Sequence, residues 1–236
     1  MKIIPLGVNG LYATEVSPTS CYILTVRGKV VIIDFGSGAL ASLQKYIPPE
    51  KIDLIILSHF HFDHVSDMGT LGYYMQSHAE KLKVLCPFDE ARAEFFSLPS
   101  RFDVSYIEEG KRELFDGVSA EFFLVRHPIE TFAVKITDGT ATFSYTADTN
   151  VCPALDDLFY GSDLVISDSA FLNASWSEKK PHLSAALCAE YAKKYSVRTL
   201  LTHFDPKTDR SLYLAEALSV TDKCELAEVG KIYEIR

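Results

Sequence analysis

The sequence predicts a layered α/β fold, and three observations carry that reading. Short runs rich in Val, Ile and Phe alternate along the chain with segments of helical periodicity, which is the pattern of sheets covered by helices. Apolar residues make up 47% of the 236, enough to build a sizeable core in one large domain or two packed halves. Several apolar runs also end on a histidine or an aspartate. In α/β proteins strand ends are where side chains from distant segments converge.

The elements follow in order. "KIIPLG", "TSCYILTV", "KVVIIDFG", "KIDLIILS" and "KLKVLCP" read as strands in the first half. "VSYIEEG", "AEFFLVRH", "FAVKITD", "TATFSYTAD", "SDLVISDS", "VRTLLTHF" and "KIYEIR" read as strands in the second. Helical patterns fall near 39–47, 65–79, 88–97, 183–195 and 210–220. In "HLSAALCAEYAKKYS" the residues Leu183, Ala186, Leu187 and Tyr191 share one helical face, which is expected to pack on a sheet. Tyr73, Tyr74, Phe95, Phe96, Phe102 and Trp176 read as core aromatics, and His78 as a surface residue. No low-complexity tract, linker or solenoid-range repeat divides the chain.

Composition excludes several classes. The formal charge of −9 argues against a broad nucleic-acid surface, which needs clustered Lys and Arg. The longest apolar runs fall far short of the roughly 18 to 20 residues that span a bilayer, and the opening "MKIIPLGVNG" lacks a signal peptide's long apolar stretch. Cysteines at 21, 86, 152, 188 and 224 are odd in number, with no Cys-x-x-Cys pair, and suit reduced, buried thiols. The expectation is a soluble, cytoplasmic protein.

The chemistry concentrates in "SHFHFDH", where His59, His61, Asp63 and His64 place four metal-capable side chains in six consecutive residues. Imidazole and carboxylate suit zinc, manganese or iron, and the lack of thiolates disfavours a closed structural zinc site. One ion does not readily use all four. With His59 and His61 on one side of an extended segment and Asp63 and His64 beyond a bend, the natural division is two ligands for each of two ions. Two-metal sites hold their ions roughly 3.5 to 4 Å apart, with a shared carboxylate and hydroxide. The further ligands must come from later strand ends, and His127, Asp148 and His203 supply them.

This ordered set resembles the metallo-β-lactamase superfamily, from "PLGVNG" through "VVIIDFGSGA" to "LLTHFDP". The resemblance implies residues 1–236 as a single domain of two packed α/β halves, a four-layer αβ/βα sandwich (the metallo-β-lactamase fold) with a dinuclear site at the sheet edges. It implies two divalent ions, zinc first, with His59, His61 and His127 on one, Asp63, His64 and His203 on the other, and Asp148 between them. Where lactamases and thioesterases carry Gly-His-Thr, this chain has "VRHPIETFAVKI", which is similar to the ribonuclease Z and small-phosphodiesterase branch. "KKPHLSAALCAEYAKKYSVRTLLTHF" resembles that branch's segment in which a His-Ser/Thr pair starts a helix. That likeness implies His182 as proton donor. Asp168 in "VISDSAF" stands where the branch has a Glu-containing strand end, which implies a shorter orienting partner or, on the plainer reading, a turn cap.

The expected activity is metal-dependent hydrolysis by a hydroxide shared between two ions, with Asp63 orienting the nucleophile, on a small or cyclic nucleotide-like phosphodiester. The alternatives are an acyl hydrolase acting on a lactone, thioester or β-lactam, a ribonuclease Z-like RNA endonuclease, and a metal-loaded binding scaffold. Large RNA is disfavoured by the acidic balance and by the lack of the Gly- and Lys-rich arm of ribonuclease Z. No membrane partner is expected, and a homodimer is a family-level expectation.

Overall fold

The structure, a computed structural model, describes Met1–Arg236, and the chain divides into two compact units. The first comprises Lys2–Glu108 with Val229–Tyr233. Its elements are β1 (Lys2–Gly7), β2 (Cys21–Val26), β3 (Lys29–Phe35), α1 (Ala39–Leu43), β4 (Leu54–Ile56), α2 (Phe62–Val65), α3 (Met68–Tyr74), β5 (Lys83–Cys86), α4 (Glu90–Phe95), α5 (Leu98–Arg101) and β6 (Asp103–Tyr106). β1, β2 and β3 pair antiparallel, and β3 to β6 continue the sheet in parallel. The apolar runs of β3 and β4 are buried almost throughout, as strands covered on both faces require.

The second unit comprises Met1, Glu109–Glu228 and Glu234–Arg236. It holds β7 (Gly110–Phe115), β8 (Val118–Leu124), β9 (Phe132–Thr137), β10 (Thr142–Tyr145), α6 (Ala154–Phe159), β11 (Leu164–Asp168), α7 (Ala185–Tyr195), β12 (Arg198–Thr202), α8 (Arg210–Leu218) and β13 (Cys224–Leu226). β7 to β10 are antiparallel, and β10 to β13 are parallel. A last strand, β14 (Tyr233–Glu234), lies beside β1 at the edge of the first sheet. Both sheets thus pass from antiparallel to parallel along their length.

Most predicted elements are present, and the differences have local causes. The strand β7 has no counterpart among the predicted strands because "GKRELF" is charged and largely exposed, as an edge strand is. β13 and α6 are too short to show a period. The pattern at 65–79 resolves into α3 and a short 3-10 turn at Met75–Ser77 instead of one helix. Helix α7 buries Ala185, Cys188, Ala189 and Ala192, not the predicted Ala186, Leu187 and Tyr191, which are half-buried at its margin. The small-residue set has equally good i, i+3, i+4, i+7 spacing and lets the helix approach its neighbours closely. Phe96 and Phe102 are core, whereas Tyr73 and Phe95 are each 69% exposed, contrary to their reading as core. His78 is exposed as expected.

All five cysteines are free thiols, and only Cys152 is not buried. Burial pushes the Cys86 and Cys224 thiols up to about 12, so they act as small apolar groups. No helix is long and apolar enough to cross a membrane.

The turn between β9 and β10 is closed by Asp138, whose Oδ1 accepts from Thr140 Oγ1 (2.7 Å) and from the amides of Thr140 and Ala141 (both 2.9 Å). The Thr140 hydroxyl and the Ala141 amide lead the stabilisation of its charged form and lower its pKa to about 2. A depressed carboxyl stabilises the fold above the unfolded value near 4 and loses that contribution as pH falls through the folded value. Asp138→Ala is therefore expected to cost about 1 kcal/mol at pH 7. In urea melts the gap to wild type should narrow as pH falls from about 4 towards 2.

Candidate metal centre

In the first unit the chain leaves β4, passes His59 in an extended segment, and bends at His61, the residue preceding α2 (φ −74°, ψ 149°). Asp63 and His64 then occupy the first turn of that helix. His59 Nε2 lies 3.0 Å from His61 Nδ1, and His64 Nε2 lies 3.7 Å from Asp63 Oδ2. His59 and His64 are fully buried.

Their orientation is imposed by Asp34, at the end of β3. Its Oδ1 accepts the Ser58 amide (2.7 Å), while its Oδ2 accepts the Ser58 hydroxyl (2.9 Å) and lies 2.7 Å from His64 Nδ1. A carboxylate can only accept, so His64 carries its proton on Nδ1 and presents Nε2 as a lone pair. Because the Ser58 hydroxyl donates to Asp34, its oxygen accepts from His59 Nδ1 at 3.0 Å, which leaves His59 Nε2 in the same state. One aspartate thereby sets two imidazole tautomers. Leu11 N donates to Asp63 Oδ2 (2.9 Å) and fixes that carboxylate as well.

In the second unit, His127 follows β8, Asp148 follows β10, Asp168 ends β11, and His203 follows β12. Asp148 Oδ2 lies 3.3 Å from His203 Nε2, 4.0 Å from His127 Nε2 and 3.8 Å from His182 Nδ1. His127 Nδ1 donates to the Pro181 carbonyl (3.2 Å), so its Nε2 carries the lone pair. His182 Nδ1 is 2.8 Å from Asp168 Oδ2, and its ring stacks on His203 with centroids 4.9 Å apart. Asp168 also accepts from Thr149 N (2.9 Å) and Ala170 N (3.0 Å), so it braces the turn as well as touching His182. Its backbone carbonyl accepts from the Cys188 thiol, which burial holds protonated well above the ordinary thiol range.

The residues fit a divalent cation by their donor chemistry. Zinc bonds to N and O near 2.0 to 2.2 Å at tetrahedral angles leave ligand atoms about 3.3 Å apart. His203 Nε2 and Asp148 Oδ2 stand at that spacing, and His59 Nε2 and His61 Nδ1 stand slightly closer. Three of the seven non-glycine residues with positive φ belong to this arrangement. Asp34 (φ 56°), Ala147 (53°) and His203 (63°) are left-handed without being glycine, at a cost of roughly 1 to 3 kcal/mol each.

The sequence reading missed Asp34. It sits inside the run "VVIIDFG" and obeys the strand-end pattern that picked out the other carboxylates. Ser58, one residue before His59, carries no such signal.

Residues 30–204 match the family described as the beta-lactamase superfamily domain, so the chain belongs to that superfamily. A probable metallo-hydrolase of Bacillus subtilis, YhfI, is 28% identical over 211 residues, 86% of each chain. The crystal structure of YhfI matches with a TM-score of 0.92 at 25% identity over 98% of both chains. Human tRNase Z, short form, matches at 0.79 with 18% identity over 100% of both. A diphosphatase from the PhnP family matches at 0.78 with 17% identity over 100% of this chain and 98% of that one. The chain therefore has the metallo-β-lactamase α/β sandwich fold and is a metallo-hydrolase of that fold with a candidate His/Asp metal-binding cluster.

Gly36 tests how tightly the histidine loop is seated. A Cβ there would lie 2.0 Å from the Asp63 carbonyl oxygen and 2.2 Å from Thr19 Oγ1. Gly36→Ala is expected to destabilise the protein by about 1–3 kcal/mol and to weaken zinc binding, measured by urea melts and by competition with a chromogenic chelator.

Proposed function

We propose that this chain is a phosphodiesterase acting on a small or cyclic nucleotide-like diester, with two divalent ions, zinc first, as its cofactors. The observation that carries the reading is His182, held by Asp168 at 2.8 Å and stacked on His203. A histidine clamped to a buried carboxylate beside a ligand cluster is suited to hold a proton for a leaving oxygen. His59, His61 and His127 would bind one ion, Asp63, His64 and His203 the other, and Asp148 both. When bound, such ions lower the pKa of water to give a nucleophile near neutral pH and neutralise phosphoryl oxygens.

The remaining work falls to the chain's own side chains. Asp63, fixed by the Leu11 amide, orients the attacking group. Asp34 and the Pro181 carbonyl keep the ligating nitrogens deprotonated. Asp168 holds His182 with its proton available to the departing alkoxide. The names of two fold relatives, a tRNase Z and a diphosphatase, favour phosphoryl chemistry over acyl chemistry. The net charge of −9 favours a small substrate over a large RNA. The free, mostly buried thiols suit a reducing compartment, and a cytoplasmic location is part of the proposal. A homodimer is the expected assembly.

A substrate panel decides the reading. Zinc-loaded protein should hydrolyse bis-p-nitrophenyl phosphate and 2′,3′-cyclic nucleotides faster than a homoserine lactone or nitrocefin. His182→Ala should lower kcat on the cyclic nucleotide by about 10²- to 10⁴-fold. Activity confined to the lactone or nitrocefin would show that the bond broken is an acyl bond. Cleavage of precursor transfer RNA far above the small diesters would restore the ribonuclease reading.

A further inference from the structure

Between Asp168 and α7 the stretch 176–183 forms neither helix nor strand; backbone amides reach only the carbonyls of Ser177 (from Lys180, 3.0 Å) and Leu183 (from Phe171, 3.2 Å), and the others need further donors. Side chains supply them. Asn150 Nδ2 donates to the carbonyls of Ser177 (3.1 Å) and Lys180 (2.5 Å), and Arg126 Nη2 donates to that of Glu178 (2.7 Å). His127 Nδ1 donates to the Pro181 carbonyl (3.2 Å). The indole N–H of Trp176 is shared between the His182 carbonyl (3.1 Å) and Asn150 Oδ1 (3.2 Å).

Asn150 is the centre of this arrangement. It is fully buried, and its Oδ1 also accepts from Val151 N (2.6 Å), so both ends of the amide are engaged. Its own backbone amide donates to the Arg126 carbonyl (3.0 Å), forming an isolated antiparallel bridge. The two ends of that bridge adjoin His127 and lie two residues from Asp148. The segment bearing His182 is therefore fastened to the same two loops that carry proposed ligands.

We propose that Arg126, Asn150 and Trp176 are positioning residues that hold the 176–183 segment so that His182 delivers its proton to the leaving oxygen. The inference rests on the phosphodiesterase reading for its chemistry and on the hydrogen bonds above for its geometry. In the step concerned, the attacking hydroxide oxygen forms its bond to phosphorus as the bond from phosphorus to the leaving oxygen breaks; the electron pair of the broken bond stays on the leaving oxygen, and the proton passes from His182 to it. A misplacement of about 1 Å in such a group costs on the order of a hundredfold in rate.

The leaving group separates positioning from mere folding. A nitrophenolate departs without a proton, whereas a ribose alkoxide needs one. Asn150→Asp keeps the shape of the side chain and sets an acceptor against the Ser177 and Lys180 carbonyls. It is expected to lower kcat on 2′,3′-cyclic nucleotides by roughly tenfold to a hundredfold, with a smaller change in KM. The rate on bis-p-nitrophenyl phosphate should fall far less. Trp176 is the single tryptophan, so its emission reports the segment directly and should shift to the red in Asn150→Asp. If Asn150→Asp fails to fold, Trp176→Phe, which removes only the N–H and part of the ring, should reproduce the leaving-group split.

Equal loss on both substrates, or an unchanged split with unchanged emission, would overturn the clamp. If wild type hydrolyses neither diester, the phosphodiesterase reading fails by itself. The emission of Asn150→Asp then still decides whether these residues hold the segment.

Discussion

The carboxylate of Asp34 is the constraint on which the histidine loop depends. It accepts three hydrogen bonds, from the Ser58 amide, the Ser58 hydroxyl and His64 Nδ1, and all of these groups are buried. A buried carboxylate is tolerated only when its lone pairs are engaged, so the loop must adopt the one conformation that brings Ser58 and His64 to it. That conformation turns the Nε2 atoms of His59 and His64 away from Asp34. Gly36 completes the seat, since only a residue without a side chain lets the Asp63 backbone come so close. The left-handed backbone of Asp34 is the local cost of this arrangement.

The second unit uses a related device with different residues. Asp168 ends a buried strand, accepts two backbone amides and holds a histidine nitrogen, while its own carbonyl is held by Cys188. Ala147 and His203 carry the strained backbone there, at the exits of β10 and β12. In each unit strand ends deliver the candidate residues to loops, and hydrogen bonds from behind fix the atoms they present. The stability of the fold comes from the apolar runs beneath. Part of the left-handed backbone lies at the site, at Asp34, Ala147 and His203, and the rest at turns and helix ends such as Arg27, Ser97 and Ser196.

How much of this the sequence disclosed follows from the range of the interactions. Buried strands such as β3, β11 and β12 are legible because β-branched runs declare themselves locally. The histidine loop is legible because His59, His61, Asp63 and His64 crowd into six residues, a local signal in its own right. β7 and the buried face of α7 were not, because an exposed edge strand has no apolar pattern and Ala and Cys signal burial weakly. Asp34 lies 24 residues from Ser58 and 30 from His64, and Asn150 lies 27 from Ser177. No local period encodes such pairings. They emerge only when the topology has brought the segments together.

The claim that Asp34 presents the ligating nitrogens is tested most directly by zinc titration of wild type and Asp34→Asn, followed by isothermal calorimetry. The account predicts two ions per chain in wild type, and affinity weakened by about 10- to 100-fold in the variant, with the secondary structure retained by circular dichroism. Equal affinity in the two proteins, with the same two ions bound, would contradict it.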